Sequence, residues 1–210
     1  MEKHNGFLQK YGLLIFRIIL CGLSWTAILI MLLPSILSLQ FILFCFYTVQ
    51  TNLMVLIWIT LAIIYTRKDE KPFILGPVVR GGITVYITIT FLVFVTLLQP
   101  FYFPTDPVGI TVNILAHYVV PIFFIIDWII TERKKRYEKK YALYWLSYPL
   151  FYLGYSLIQG LITGFYPYYF IDLNAIGPFV ILFSMLLALL FYIIGRLYIF
   201  LNLKLFEKSR

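Results

Sequence analysis

Residues 108–136 read VGITVNILAHYVVPIFFIIDWIITERKKR. Across 108–130 the strongly polar side chains are Thr111, Asn113, His117 and Asp127, and then Arg133, Lys134, Lys135 and Arg136 follow in a block. A helix of about 20 apolar residues crosses the roughly 30 Å hydrocarbon core of a bilayer. No water reaches the backbone there, so a helix is the local structure that satisfies its own amide groups. Lys and Arg collect where a span enters the cytoplasm. The stretch therefore predicts a transmembrane helix that leaves the membrane on the cytoplasmic side near Glu132.

Working outward, five further apolar runs occur at 11–33, 41–65, 81–98, 142–162 and 176–201. The expected fold class is all-α, a single integral membrane domain over residues 1–210 built as a six-helix bundle. Composition agrees: 62% of residues are hydrophobic and 12% charged, against about 45–50% and 25% in soluble domains. The net charge of +8 does not call for nucleic acid, because its distribution is topological. All 17 Lys and Arg lie near the start of helix 1, between helices 2 and 3, between helices 4 and 5, or towards the C-terminus. The other connections, around 34–40, 99–107 and 163–175, hold none. The positive-inside rule then puts both termini in the cytoplasm of a multi-pass cell-membrane protein. The 11–33 run exceeds the apolar length of a signal peptide and no small-x-small site follows, so it reads as a retained span. Cys21 and Cys45 sit in apolar runs without metal-ligand spacing, so neither a metal nor another cofactor is expected. Arg17, Asp127 and Arg196 lie towards cytoplasmic helix ends, where an Arg–Asp pair or snorkelling accounts for them.

Polar groups inside hydrocarbon must find partners or line a cavity. Helix 2 carries Thr48, Gln50, Thr51 and Asn52, with Thr48, Thr51 and Asn52 on one face. Helix 4 carries Asn113 and His117, four apart. Helix 5 carries Tyr148, Tyr152, Tyr155, Ser156 and Gln159 along one side. Thr48, Thr51 and His117 fall roughly 10–15 Å below the outer boundary at 1.5 Å per residue, so the three helices are expected to face one another. A threonine hydroxyl becomes a nucleophile when a base takes its proton, and histidine is the usual base. Asn52 and Asn113 would orient the imidazole or donate to an oxyanion. Gln50, Tyr148, Tyr152, Tyr155 and Gln159 would line the pocket. Those parts suit acyl transfer from a lipophilic ester. A neutral histidine that simply ties helices together uses the same residues. So does a non-enzymatic lipid-binding or transport module. The aromatic, proline-rich outer connections QPFYFP (99–104) and FYPYYF (165–170) read either as an interfacial belt or as a cap over an outward-facing cavity.

Three motifs carry a resemblance: FYTVQTNL (46–53), NILAHYVVP (113–121) with Asp127-Trp128, and the stretch from Gly154 through TGFYPYYF (163–170) to Gly177-Pro178. With them the chain resembles a bacterial member of the androgen-induced-protein-like family of six-helix integral membrane proteins. The resemblance implies intramembrane threonine hydrolysis of fatty acid esters of hydroxy fatty acids. It implies His117 as the base, through the Asn-x-x-x-His spacing, and a helix-2 threonine as nucleophile. Thr48 fits the preceding aromatic pattern. The distance onward to Asn-Leu differs by one residue, which makes Thr51 the alternative nucleophile. The implied partner is a membrane lipid or fatty-acyl ester.

Overall fold

The computed structural model describes residues 2–37, 41–132 and 136–204, and every regular element among them is helical. Helix α1 is Glu2–Leu37, with its apolar span at Tyr11–Leu33. Then come α2 at Tyr47–Ile64, α3 at Pro77–Phe101 and α4 at Pro107–Thr131. A single turn, Tyr141–Tyr144, leads into α5 at Ser147–Thr163, and α6 is Phe179–Lys204. Five of these, all except α5, are long and apolar enough to cross a membrane. Residues 133–135 of the expected basic loop lie outside the described residues.

The helix ends follow from local chemistry. Helix α2 starts six residues later than the apolar run, because Phe46 takes an extended conformation and 41–45 forms a separate 3₁₀ turn. Helix α3 starts earlier, with Pro77 at its first position, where a missing N–H costs nothing. That start moves Arg80 out of the expected connection between helices 2 and 3 and into the helix, where it is buried. The run expected as one helix over 142–162 is broken at Trp145-Leu146. Pro149 lacks the N–H that would bond the Trp145 carbonyl, and its ring crowds that carbonyl. The indole of Trp145 instead donates to Val78 O at 2.7 Å and packs against Gly81 and Gly82 of α3. A Cβ at Gly81 would sit 2.2 Å from the Trp145 ring, so glycine is what allows this contact.

Helix α3 is the centre of the bundle: 61% of its most apolar window is buried, against 17% in α6. In a membrane, association rests on close packing and polar ties between helices, because lipid is as apolar as the helix faces. Two such ties frame the bundle. At one end, Arg17 Nε and Arg80 NH2 both donate to Asp127, at 2.8 and 2.7 Å. At the other, Tyr152 donates to Cys45 O at 2.8 Å and Tyr148 to Gln50 Oε1 at 2.7 Å. Beyond α5 the chain folds back on itself. The ring of Tyr166 occupies the space a Gly160 side chain would need, and Gln159 Nε2 donates to Phe165 O at 3.4 Å. This return places Tyr168 over the start of α2.

Candidate functional site

Helices α3 and α4 each carry one turn of π-helix, at Phe94–Leu98 and at Leu115–Val119. Both have the same cause. Pro100 and Pro121 each stand four residues beyond a carbonyl they cannot bond and whose space their rings invade, those of Thr96 and His117. Widening the turn by one residue relieves the clash. π-Turns recur at functional sites because they re-aim side chains. Here the two meet: the rings of Phe94 and His117 stack with centroids 3.7 Å apart and planes 12° from parallel.

A directional chain of hydrogen bonds fixes the imidazole. Gln99 Nε2 donates to the Tyr102 carbonyl at 3.2 Å, so Gln99 Oε1 is the acceptor facing inward. That oxygen accepts from the Tyr118 hydroxyl at 3.0 Å and from Asn113 Nδ2 at 3.5 Å. Asn113 Oδ1 is thereby left to accept from His117 Nδ1 at 3.0 Å. The imidazole thus carries its proton on Nδ1, and Nε2 presents the basic lone pair.

Helix α2 touches this network through one amide. Asn52 Nδ2 donates to its own helix at Thr48 O (2.9 Å) and across to Ala116 O (3.1 Å), so α2 and α4 are in contact beside His117. Asn52 Oδ1 is buried without a partner among the described residues. The two candidate alcohols differ. Thr51 is fully buried, and its hydroxyl is engaged with Tyr47 O, Thr48 O and Thr90 Oγ1 at 3.0, 3.2 and 2.9 Å. Thr48 faces the Tyr168 hydroxyl, which lies 3.5 Å from its Oγ1 and accepts from its backbone N–H at 3.3 Å. Tyr168 so caps the first turn of α2, where Phe46 offers no side-chain cap. Burial holds the Tyr168 phenol above its ordinary pKa, which keeps it a neutral donor. No hydrogen bond joins His117 to either threonine.

Thr48 instead opens onto a cavity of about 90 Å³ between α2, α3, α5 and α6. Its wall is apolar apart from hydroxyls of Tyr47, Thr48, Thr90, Tyr152, Tyr168 and Ser184. The hydroxyls of Tyr47 and Ser184 are buried without partners among the described residues. Tyr152 is the residue of the helix-5 stripe that lines this space. Tyr148 lines a second, more open groove with Tyr86, Trp145 and Met54. Gln50, Tyr155 and Gln159 line neither. Gln50 bridges Phe44 O and Tyr148, Tyr155 reaches Cys45 Sγ at 3.3 Å, and Gln159 holds the returning loop. His117 does not border the Thr48 cavity.

Phe94, Thr90 and Tyr118 complete the site without having been singled out as site residues in the sequence, and Gln99 and Tyr168 come from the two aromatic outer connections, 99–104 and 165–170. Pro100 and Pro121 were the available signal, since each marks the turn that aims Phe94 or His117. Among the described residues no group of three or more His, Cys, Asp or Glu is placed to hold a metal. No family profile, curated protein or solved structure matches the chain.

Proposed function

We propose that this chain is a six-span protein of the cell membrane, with both termini cytoplasmic, that binds an acyl lipid ester in the cavity beside Thr48. The observation that carries this reading is the cavity's make-up: apolar walls with two hydroxyls, Tyr47 and Ser184, that have no partner among the described residues. An acyl chain fills such a space, and the carbonyl of an ester accepts from a hydroxyl that otherwise stays unpaired. In this topology α5 is the short fifth span, with the turn at Tyr141–Tyr144 completing its length.

A second reading, hydrolysis of that ester by Thr48 and His117, is favoured by the chain from Gln99 through Asn113 that leaves His117 Nε2 basic. The base takes the Thr48 proton and Oγ1 attacks the ester carbonyl. The alkoxide leaves with the proton from the imidazolium, and water then cleaves the acyl-threonine with His117 again as base. This chemistry requires Thr48 to leave Tyr168 and close on the imidazole, a tightening that substrate brings about in many enzymes. Thr51 is the poorer nucleophile, its hydroxyl being held by three neighbours.

Purified protein assayed with a fluorogenic long-chain ester separates the two. Saturable binding that weakens several-fold in Tyr47→Phe supports the cavity, and binding unaffected by Tyr47→Phe and Ser184→Ala removes it. Turnover abolished by both Thr48→Ala and His117→Ala supports hydrolysis. Binding without turnover leaves the lipid-binding reading and discards the second.

A further inference from the structure

The end of the bundle where α1 begins and α4 finishes holds an unbalanced charge. Arg80 is 1% exposed and Asp127 fully buried, and Arg17 reaches the same carboxylate from its partly exposed position. One carboxylate therefore faces two guanidinium groups. Glu132, which also acts on Arg80, is taken by Arg136, whose Nε donates to Oε1 at 2.8 Å. The Arg80 guanidinium lies between two aromatic faces, its Cζ 4.0 Å from the ring centroids of both Trp58 and Phe124. Cation–π contact of this kind is worth about 2 kcal/mol when desolvated, well short of the several kcal/mol per ion that burial costs.

The hydrogen bonding is unbalanced in the same sense. Arg80 Nε, Arg80 NH1 and Trp58 Nε1 are all buried without a partner among the described residues. All three are donors and none can accept. The Trp58 ring lies 4.0 Å from the guanidinium carbon, so the unpaired donors of the two residues share one neighbourhood. Bound water satisfies donors but leaves the charge. An anion satisfies both.

We propose that Arg80, Trp58 and Arg17 form a binding site for one anionic oxygen group, a carboxylate or a phosphate. Arg80 supplies the charge and two donors, Trp58 the third, and the partly exposed Arg17 marks the entry. Asp127 holds the two arginines in place and leaves one positive charge for the ligand. The bound group is either the headgroup of an anionic lipid or a free anion from solution.

The test follows thermal unfolding of the purified protein in neutral detergent, titrated in one arm with inorganic phosphate and in the other with phosphatidylglycerol. A ligand that binds the folded state raises the midpoint with concentration. Trp58→Phe keeps an aromatic face over Arg80 and deletes the donor. It is expected to shift the titration about tenfold or more to higher concentration, the loss of one hydrogen bond to a charged group. A response to phosphate that Trp58→Phe weakens identifies a free-anion site. A response to phosphatidylglycerol alone, weakened the same way, identifies a headgroup site. Arg80→Lys, which keeps the charge but not the two unpaired donors, provides a second comparison and should weaken binding likewise. The proposal is overturned if neither ligand moves the wild-type midpoint, or if the variants respond as the wild type does.

Discussion

Replacing Asp127 by Asn isolates the charge that Arg17 and Arg80 depend on. In the wild type the carboxylate accepts three hydrogen bonds: Arg17 Nε at 2.8 Å, Arg17 NH2 at 3.2 Å and Arg80 NH2 at 2.7 Å. Asparagine keeps one carbonyl oxygen and turns an N–H towards a guanidinium, so it loses at least one charge-assisted bond and sets donor against donor. The surplus on the side chains rises from one positive charge to two. Removing one partner of a buried ion pair costs about 3–5 kcal/mol. Arg17, 14% exposed, relieves its share by snorkelling to headgroups. Arg80, at 1%, has no such escape, so the loss falls on it. Asp127→Asn is expected to lose about 3–5 kcal/mol and Arg17→Gln about 1 kcal/mol, the scale of a partly solvated pair. Reversible unfolding in mixed detergent micelles, followed by tryptophan fluorescence, measures both. A loss below about 1 kcal/mol for Asp127→Asn, or equal losses for the two variants, would refute the argument that Arg80 needs this carboxylate.

Two further outcomes are expected. In Gly81→Ala the new methyl overlaps Trp145, whose indole is tethered to Val78 O, so an overpacking loss of about 1–3 kcal/mol is expected in the same unfolding assay. Gly82→Ala, whose nearest contact is 3.0 Å, should lose less, and equal effects would mean the indole moves freely. Nitrogen-15 NMR of labelled histidine should report the Nδ1–H tautomer for His117. Gln99→Leu, which unties Asn113, should mix the two tautomers. An Nε2–H signal in the wild type would contradict the derived hydrogen-bond direction.

Hydropathy along the chain was enough to establish an all-helical protein with several spans, and it located α4 to within one residue at each end. Each residue in hydrocarbon contributes its own solvation free energy whatever it packs against, so a run such as 108–130 declares itself locally. The place of Asn113 and His117 along that helix was legible for the same reason. Tertiary structure decided the rest, because a buried polar group is judged by the partner it finds, and partners are set by contacts between distant segments. Arg80 resembled a loop cation until α3 began at Pro77 and Asp127 came within 2.7 Å. Thr48 and Thr51 share one helix face in the sequence, and their surroundings differ through Thr90, which binds one, and Tyr168, beside which the other faces a cavity. The single helix expected over 142–162 broke where Trp145 found α3, 60-odd residues earlier in the chain, a contact no window of neighbouring residues contains.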